Sequence, residues 1–329
     1  MKNWKALVGV GFSALFLYLA FRSIHLNELA RAFKGADYGP VIPAMFLVSA
    51  GILMKAVRWR YVLLPIKSIG IPSLFYATGI GSMVNVAVPA RLGELVRAHA
   101  IGKKEEISRS ASFATIVVER VLDGFALLFL LAIVALFGAG YFQGWLERAG
   151  YVAIIGYLFA LAMLMLLKTH TSFAVRVAET LFRPLPPVAR TKLVTVLNSF
   201  IEGLKIFRSI RNMVAAIILS PVVWLPNVAV IHLLLASAGI HLSVLVSVLL
   251  LVALCIGVAI PSAPGFIGNV QFVCVAILKL YGVSGESAMM FSLIYTGCVF
   301  IAVMATGLVC VLAEGLSFEE IGSMIKLEK

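Results

Sequence analysis

The sequence predicts an all-α, polytopic membrane protein with about six full transmembrane helices and two broken, re-entrant hairpins. Composition is the first reason. Of 329 residues, 62% are apolar and 13% charged, against about half and a quarter in a soluble domain, and the mean hydropathy is +1.05. A water-soluble globule is excluded. Apolar runs near the roughly 20 residues needed to cross a bilayer recur along the chain, and composition alone sets a ceiling of roughly ten. The third reason is charge placement: 27 Lys and Arg against 15 Asp and Glu, a net +12, gather in short stretches between those runs, as in cytoplasmic loops. Such an excess fits an anionic lipid surface, and no aromatic-interleaved basic tail points to nucleic acid.

The first run, 6–21, follows Met1-Lys2-Asn3-Trp4-Lys5 and is closed by Arg22. No small-x-small cleavage site follows it, so an uncleaved helix is predicted rather than a signal peptide. The second, 38–57, ends in Lys55, Arg58, Trp59 and Arg60, which reads as a cytoplasmic end, with Trp59 and Trp145 as interfacial anchors.

The run 71–88 breaks at Pro89 and is followed by Arg91, Arg97, Lys103, Lys104 and Arg109 against Glu94, Glu105 and Glu106. Both of its flanks are basic. A single crossing cannot satisfy that, whereas a hairpin entering from the cytoplasm and returning to it can. A helix at 111–137, an external loop near Tyr141 to Glu147 and a helix at 150–167 come next.

The segment 168–211 holds eight Lys and Arg and two acids, Glu179 and Glu202, and marks the inside most strongly. Within it Val194, Leu197, Ile201, Leu204, Ile206 and Phe207 recur at near-helical spacing, as in an amphipathic helix on the inner leaflet. It divides one integral domain into membrane halves 1–167 and 212–329. A helix at 212–238 carries Pro221 and Pro226, and a run at 243–260 breaks at Pro261 to Gly268 before the short piece 269–281. A last helix, 288–313, brings the C-terminus to the side of the N-terminus. The Pro89 and Pro264 breaks lie about half the chain apart and enter from opposite faces, so topology alone suggests an inverted repeat, the arrangement that frames transporter sites.

Three clusters carry candidate chemistry. Arg91, Glu94 and Arg97 fall every third residue, so on a helix they share one stripe; two guanidinium forks there suit phosphate. A plain helix start with an ion pair is the other reading. Glu119, Arg120 and Asp123 lie eight or more residues into a predicted span, where each ionised group costs about 2.5 to 3.5 kcal/mol. They must be paired or face a polar cavity, either as a salt-bridge staple or as a functional site. Pro264, Gly265 and Gly268, with Asn269 and Gln271, break a helix within apolar sequence, and such backbone lines a cavity or is buried in protein. Its open N–H groups suit an anionic group, unless the stretch is an ordinary external loop.

The histidines are scattered, and His232 reads as a helix-packing hydrogen-bonder. Cys255, Cys274, Cys298 and Cys310 lie in apolar runs with no ligand spacing and read as core thiols. No metal site, cofactor or catalytic residue is predicted, and Walker, dinucleotide, nucleophile-elbow and zinc signatures are absent.

Arg91-Leu92-Gly93-Glu94 with Arg97, then Glu119-Arg120-x-x-Asp123, then Pro264-Gly265-x-x-Gly268, in this order on this hydropathy profile, resemble the flippase-like membrane family that includes the transmembrane domain of lysylphosphatidylglycerol synthetases. The resemblance covers nearly the whole chain. It implies a bacterial or archaeal cytoplasmic-membrane protein, both termini inside, that moves an anionic or polyprenyl-phosphate-linked lipid between leaflets without being an enzyme. Its implied partners are membrane lipids, a second copy of the chain or a lipid-modifying enzyme. Two departures matter. The soluble aminoacyl-transferase domain of the full synthetases does not follow here, so lipid aminoacylation does not carry over. Phe266 stands where many relatives have a second Gly and Gln271 where they have Glu, which removes any proton role for that carboxylate. The alternatives are a membrane-embedded transferase on a lipid phosphate, with Glu119 or Asp123 as base, and a non-transporting partner of a lipid-modifying enzyme.

Overall fold

The structure is a computed structural model describing residues 4–22, 24–88, 92–137, 155, 209–260 and 262–326. Among these residues there are eleven α-helices, one 3-10 turn and no strands. The helices are α1 (Trp4–Phe21), α2 (Leu26–Lys34), α3 (Val41–Leu63), α4 (Ile71–Ala87), α5 (Gly93–Lys104) and α6 (Arg109–Phe137). After the undescribed stretch come α7 (Ile210–Ser237), α8 (Val244–Ala259), the turn Pro264–Phe266, α9 (Asn269–Lys279), α10 (Gly285–Glu314) and α11 (Phe318–Lys326). The predicted loop at 141–147 with Trp145, helix 150–167 except Ile155, and amphipathic helix of 168–211 lie outside the described residues.

Four helices, α3, α6, α7 and α10, are long and apolar enough to cross a membrane. Each turns large apolar side chains outward: Phe46, Phe129, Leu136, Ile218, Leu312 and others are more than half exposed. A soluble protein does not leave such bands open to water, whereas lipid makes them the favoured surface. The chain is thus an integral, multi-pass membrane protein with the predicted all-α class.

Several boundaries differ from expectation. Helix α3 does not stop at 57 but runs to Leu63, carrying the basic cluster inside it. Helix α7 holds Pro221 and Pro226 without breaking, since in an apolar span the rest of the helical ladder has no competing water. Helix α2 was not anticipated from hydropathy, being short and amphipathic with Glu28, Arg31 and Lys34.

The two Pro/Gly breaks each yield a pair of short helices, α4 with α5 and α8 with α9. Helices α4 and α5 pack tightly where Gly93 meets the carbonyl of Gly81, leaving no room for a Cβ at either position. The Asn85 side chain closes this junction by accepting from the Gly93 N–H at 2.8 Å. The second pair is clasped by Asn269 Nδ2, which donates to the Gly257 and Ile260 carbonyls, both at 2.9 Å. Gly268, at φ 94°, starts α9 against α1, where a Cβ would sit 2.5 Å from the Ser13 carbonyl. Helices α3, α4, α7 and α10 pack around the centre.

The apolar core is divided. Ala56, Trp59, Ile116, Leu122 and Ala216 belong to one cluster, while Ala126, Leu130, Trp224 and Val228 belong to another. Asp123 on α6 and Ser220 on α7 fall at the seam. Charges placed there meet each other instead of interrupting a continuous apolar packing.

Candidate functional site: a charged seam beside a cavity

Helix periodicity brings the seam together from four elements. On α3, Lys55, Arg58 and Trp59 fall at i, i+3 and i+4 and face inward together. On α6, Glu119 and Asp123 share a stripe one turn apart. Arg58 lies between these carboxylates, with Nη1 2.7 Å from Asp123 Oδ1 and Nη2 3.5 Å from Glu119 Oε1. Its Nη1 also donates to Ser220 Oγ on α7 at 3.3 Å, and that hydroxyl donates to the Ala216 carbonyl. From α5, Arg97 Nη1 lies 2.8 Å from Glu119 Oε2, and the guanidinium stacks 3.6 Å from the Trp59 ring centre. The Trp59 indole N–H donates to Thr115 Oγ1 at 2.9 Å. Arg58, Arg97, Glu119 and Asp123 are at most 6% exposed.

A second set faces open space. Arg120 lies 3.2 Å from Asp123 Oδ2 and 3.7 Å from Glu94 Oε1, yet 43% of its side chain is exposed. Arg120, Glu94 and Lys55 line a cavity of about 230 Å³ with Ser82, Asn85, Asn227 and Tyr295. Lys55 Nζ stands 5.3 Å from the centre of the Trp224 ring. Among the described residues no carboxylate lies within 4 Å of it. Among the described residues the seam and its cavity wall therefore hold four cations, Lys55, Arg58, Arg97 and Arg120, against three carboxylates.

Of the predicted residues, Glu94, Arg97, Glu119, Arg120 and Asp123 come together, and Arg91 lies outside the described residues. Glu94 and Arg97 do not pair along their own helix; each instead meets a charge on α6. Pro264, Gly265, Gly268, Asn269 and Gln271 are not part of the seam. Two of the N–H groups expected to hold an anion are taken within the fold: Gly268 N–H donates to Gln271 Oε1 at 2.7 Å and Ala263 N–H to Ser13 Oγ at 2.7 Å. Gln271 also reaches Thr296 on α10, and it and Asn269 are almost wholly buried. These side chains fasten α9 to its neighbours.

The reading of Trp59 as an interfacial anchor beyond a helix end at 57 is corrected, because Lys55, Arg58 and Trp59 all lie within α3. Arg58 and Trp59 have no exposure, so Trp59 is not an interfacial anchor, and all three residues were missed as site members. A signal for them existed. A span beginning near Val41 needs about 20 residues and so reaches Arg60, which puts Arg58 inside the span and not past its end, where a charge needs a partner.

His232 Nδ1 lies 3.2 Å from Ser247 Oγ on α8, a helix-packing contact. One group among the described residues has metal-ligand types, His25, Glu28 and Glu286. His25 already engages Glu286 Oε1 through its backbone N–H at 3.2 Å, with its ring Nδ1 3.4 Å away, and the ring is 79% exposed. The group clasps α2 to α10. None of the four cysteines forms a disulfide, and three are buried.

Comparisons with known proteins agree with this architecture. The chain is 28% identical over 287 residues to a UPF0104 membrane protein of Methanocaldococcus jannaschii, covering 81% of this chain and 82% of that one. A UPF0104 membrane protein of Methanothermobacter thermautotrophicus is 25% identical over 272 residues, 78% of this chain and 80% of its own. The family model for the lysylphosphatidylglycerol synthase TM region matches residues 6–307. That span takes in both broken helix pairs and every charge of the seam, and the chain belongs to this family.

Proposed function

We propose that the protein moves an anionic lipid between the leaflets of a cytoplasmic membrane, with both termini inside, and takes the head group into the cavity beside Lys55 and Arg120. The observation that carries this reading is the surplus of positive charge at that cavity: two cations and one carboxylate line it together with four amide or hydroxyl side chains. An anion about 4 Å from one cation gains about 4 kcal/mol at an effective dielectric constant near 20. That is comparable to the insertion cost of a charge at a helix centre, so the site offsets what bare hydrocarbon imposes.

Arg58, Arg97 and Trp59 hold α3, α5 and α6 in register, so that Arg120 is presented rather than buried. Movement of the short helix pairs against α3 and α6 would expose the cavity to either leaflet while acyl chains stay in lipid. With no nucleotide-hydrolysis motif, movement follows a gradient or downhill exchange. The family membership supports a membrane role of this kind. A lipid-phosphate transferase would need Glu119 or Asp123 as a free base, and each is held between two guanidinium groups, which favours transport over group transfer.

The test is reconstitution of the full chain into vesicles containing chain-labelled fluorescent phosphatidylglycerol, with labelled phosphatidylcholine alongside. The expected result is transbilayer movement of phosphatidylglycerol at least tenfold faster than in protein-free vesicles, and faster than that of phosphatidylcholine. Equal rates with and without protein would overturn the reading. A new lipid species found by mass spectrometry would replace it with the transferase.

A further inference from the structure

The polar cavity has an apolar neighbour. A second space of about 170 Å³ is lined by Leu254, Val258, Val270 and Phe300, with Gly265 and Thr296. The two spaces share four wall residues, Val86, Phe266, Tyr295 and Val299. Sites for small organic ligands usually measure about 300–1,000 Å³. Neither space reaches that range alone, and the pair does. Their chemistry also differs in one direction only, charged and amide-lined on one side and hydrocarbon on the other. A molecule with an anionic end joined directly to an apolar chain matches that order.

Of the four shared wall residues, Phe266 has a backbone φ of 56°. Bulky residues rarely adopt this left-handed conformation, and it sits directly after Gly265 at φ 72°. Its amide is fixed by donating to the Ala263 carbonyl at 3.1 Å. The turn thus holds a large ring at a place where the backbone itself favours glycine. Such strain persists only where the surroundings over-determine it, and it concentrates at ligand sites.

We propose that the two spaces form one binding site for a phosphate-bearing amphiphile, with Phe266 as the partition that limits head-group size. The phosphate lies beside Lys55 and Arg120, and the first carbons of the apolar chain lie among Leu254, Val258 and Val270. Phe266 bounds the polar space, so compact heads enter and sugar-sized ones are refused. The inference rests on the transport reading above and adds the substrate class and its selectivity residue.

The experiment compares chain-labelled phosphatidic acid, phosphatidylglycerol and phosphatidylinositol in vesicles holding the wild-type chain, Phe266→Gly or Phe266→Tyr. Wild type and Phe266→Tyr are expected to move the first two at least fivefold faster than phosphatidylinositol. Phe266→Gly, which suits the positive φ, is expected to narrow that ratio to twofold or less. A second variant, Val258→Trp, narrows the apolar space while leaving the residues of the turn unchanged and is expected to slow phosphatidylglycerol at least fivefold. Wild type moving phosphatidylglycerol with no size preference, an unchanged ratio in Phe266→Gly, or full speed in Val258→Trp overturns the two-space site and leaves the transport reading standing. Wild type moving no anionic lipid overturns both.

Discussion

The two layers of the charged seam use the same residue types for opposite purposes. In the inner layer Arg58, Arg97, Glu119 and Asp123 are almost fully buried, and each carboxylate is met by two guanidinium groups. In the outer layer Arg120 is 43% exposed and its contact with Glu94 is long, at 3.7 Å, while Lys55 has no carboxylate within 4 Å among the described residues. A buried charge left unpaired is strongly destabilising, whereas an exposed pair contributes about 0–1 kcal/mol. The inner layer therefore holds the helices, and the outer one is the part that, in the transport proposed above, would exchange its partners for a ligand. Burial, rather than residue type, separates structure from function here.

The sharpest way to break this contrast is Arg58→Ala. It removes the guanidinium that Glu119 and Asp123 share, leaving each with one partner and an empty place in the closed layer, and is expected to lower stability by about 3 kcal/mol or more, read as the unfolding midpoint in detergent. An unchanged midpoint would show that the layer is no staple. Combining Arg58→Met with Asp123→Asn should recover part of the loss, because Glu119 keeps its pairing with Arg97 and a neutral Asn needs no counter-charge.

Arg120→Gln should do the reverse. Stability is expected to fall by less than in Arg58→Ala, because Asp123 keeps its 2.7 Å contact with Arg58, while transport of phosphatidylglycerol falls about tenfold, equivalent to about 1.4 kcal/mol in the barrier. Trp59→Phe sharpens the inner layer at smaller amplitude: losing the indole hydrogen bond to Thr115 and weakening the stack under Arg97 should lower stability by about 1 kcal/mol, with transport nearly intact. The smallest effect belongs to Glu94→Gln. Removing the carboxylate that competes for Arg120 should leave stability within about 0.5 kcal/mol and raise the affinity for an anionic lipid a few-fold, measurable by lipid titration of the purified protein.

Much of the fold was legible in the sequence, because lipid enforces a simple pattern. Long apolar runs placed α3, α6, α7 and α10, and the Pro/Gly breaks marked both pairs of short helices. Helix α2 was not legible, since a nine-residue amphipathic helix carries no hydropathy signal. The α6 charges were legible as a site because Glu119, Arg120 and Asp123 stand inside an apolar run. Lys55 and Arg58 were hidden by lying near the end of theirs, where a basic residue ordinarily marks a loop. Asn269 and Gln271 misled in the opposite sense. A broken helix creates open N–H groups, but whether a ligand or a neighbouring side chain takes them is decided by tertiary packing. Here Ser13 and Gln271 take two of them, and local sequence does not show that Ser13 lies alongside.

The double variant Lys55→Gln/Arg120→Gln tests the division of labour most directly, because it removes both cavity cations and leaves Arg58, Arg97, Glu119 and Asp123 in place. Transbilayer movement of phosphatidylglycerol and the unfolding midpoint should be measured on the same reconstituted preparation. The account predicts movement reduced to the protein-free rate with the midpoint within a few degrees of wild type. Movement at the wild-type rate would contradict it, as would a midpoint that collapses together with transport.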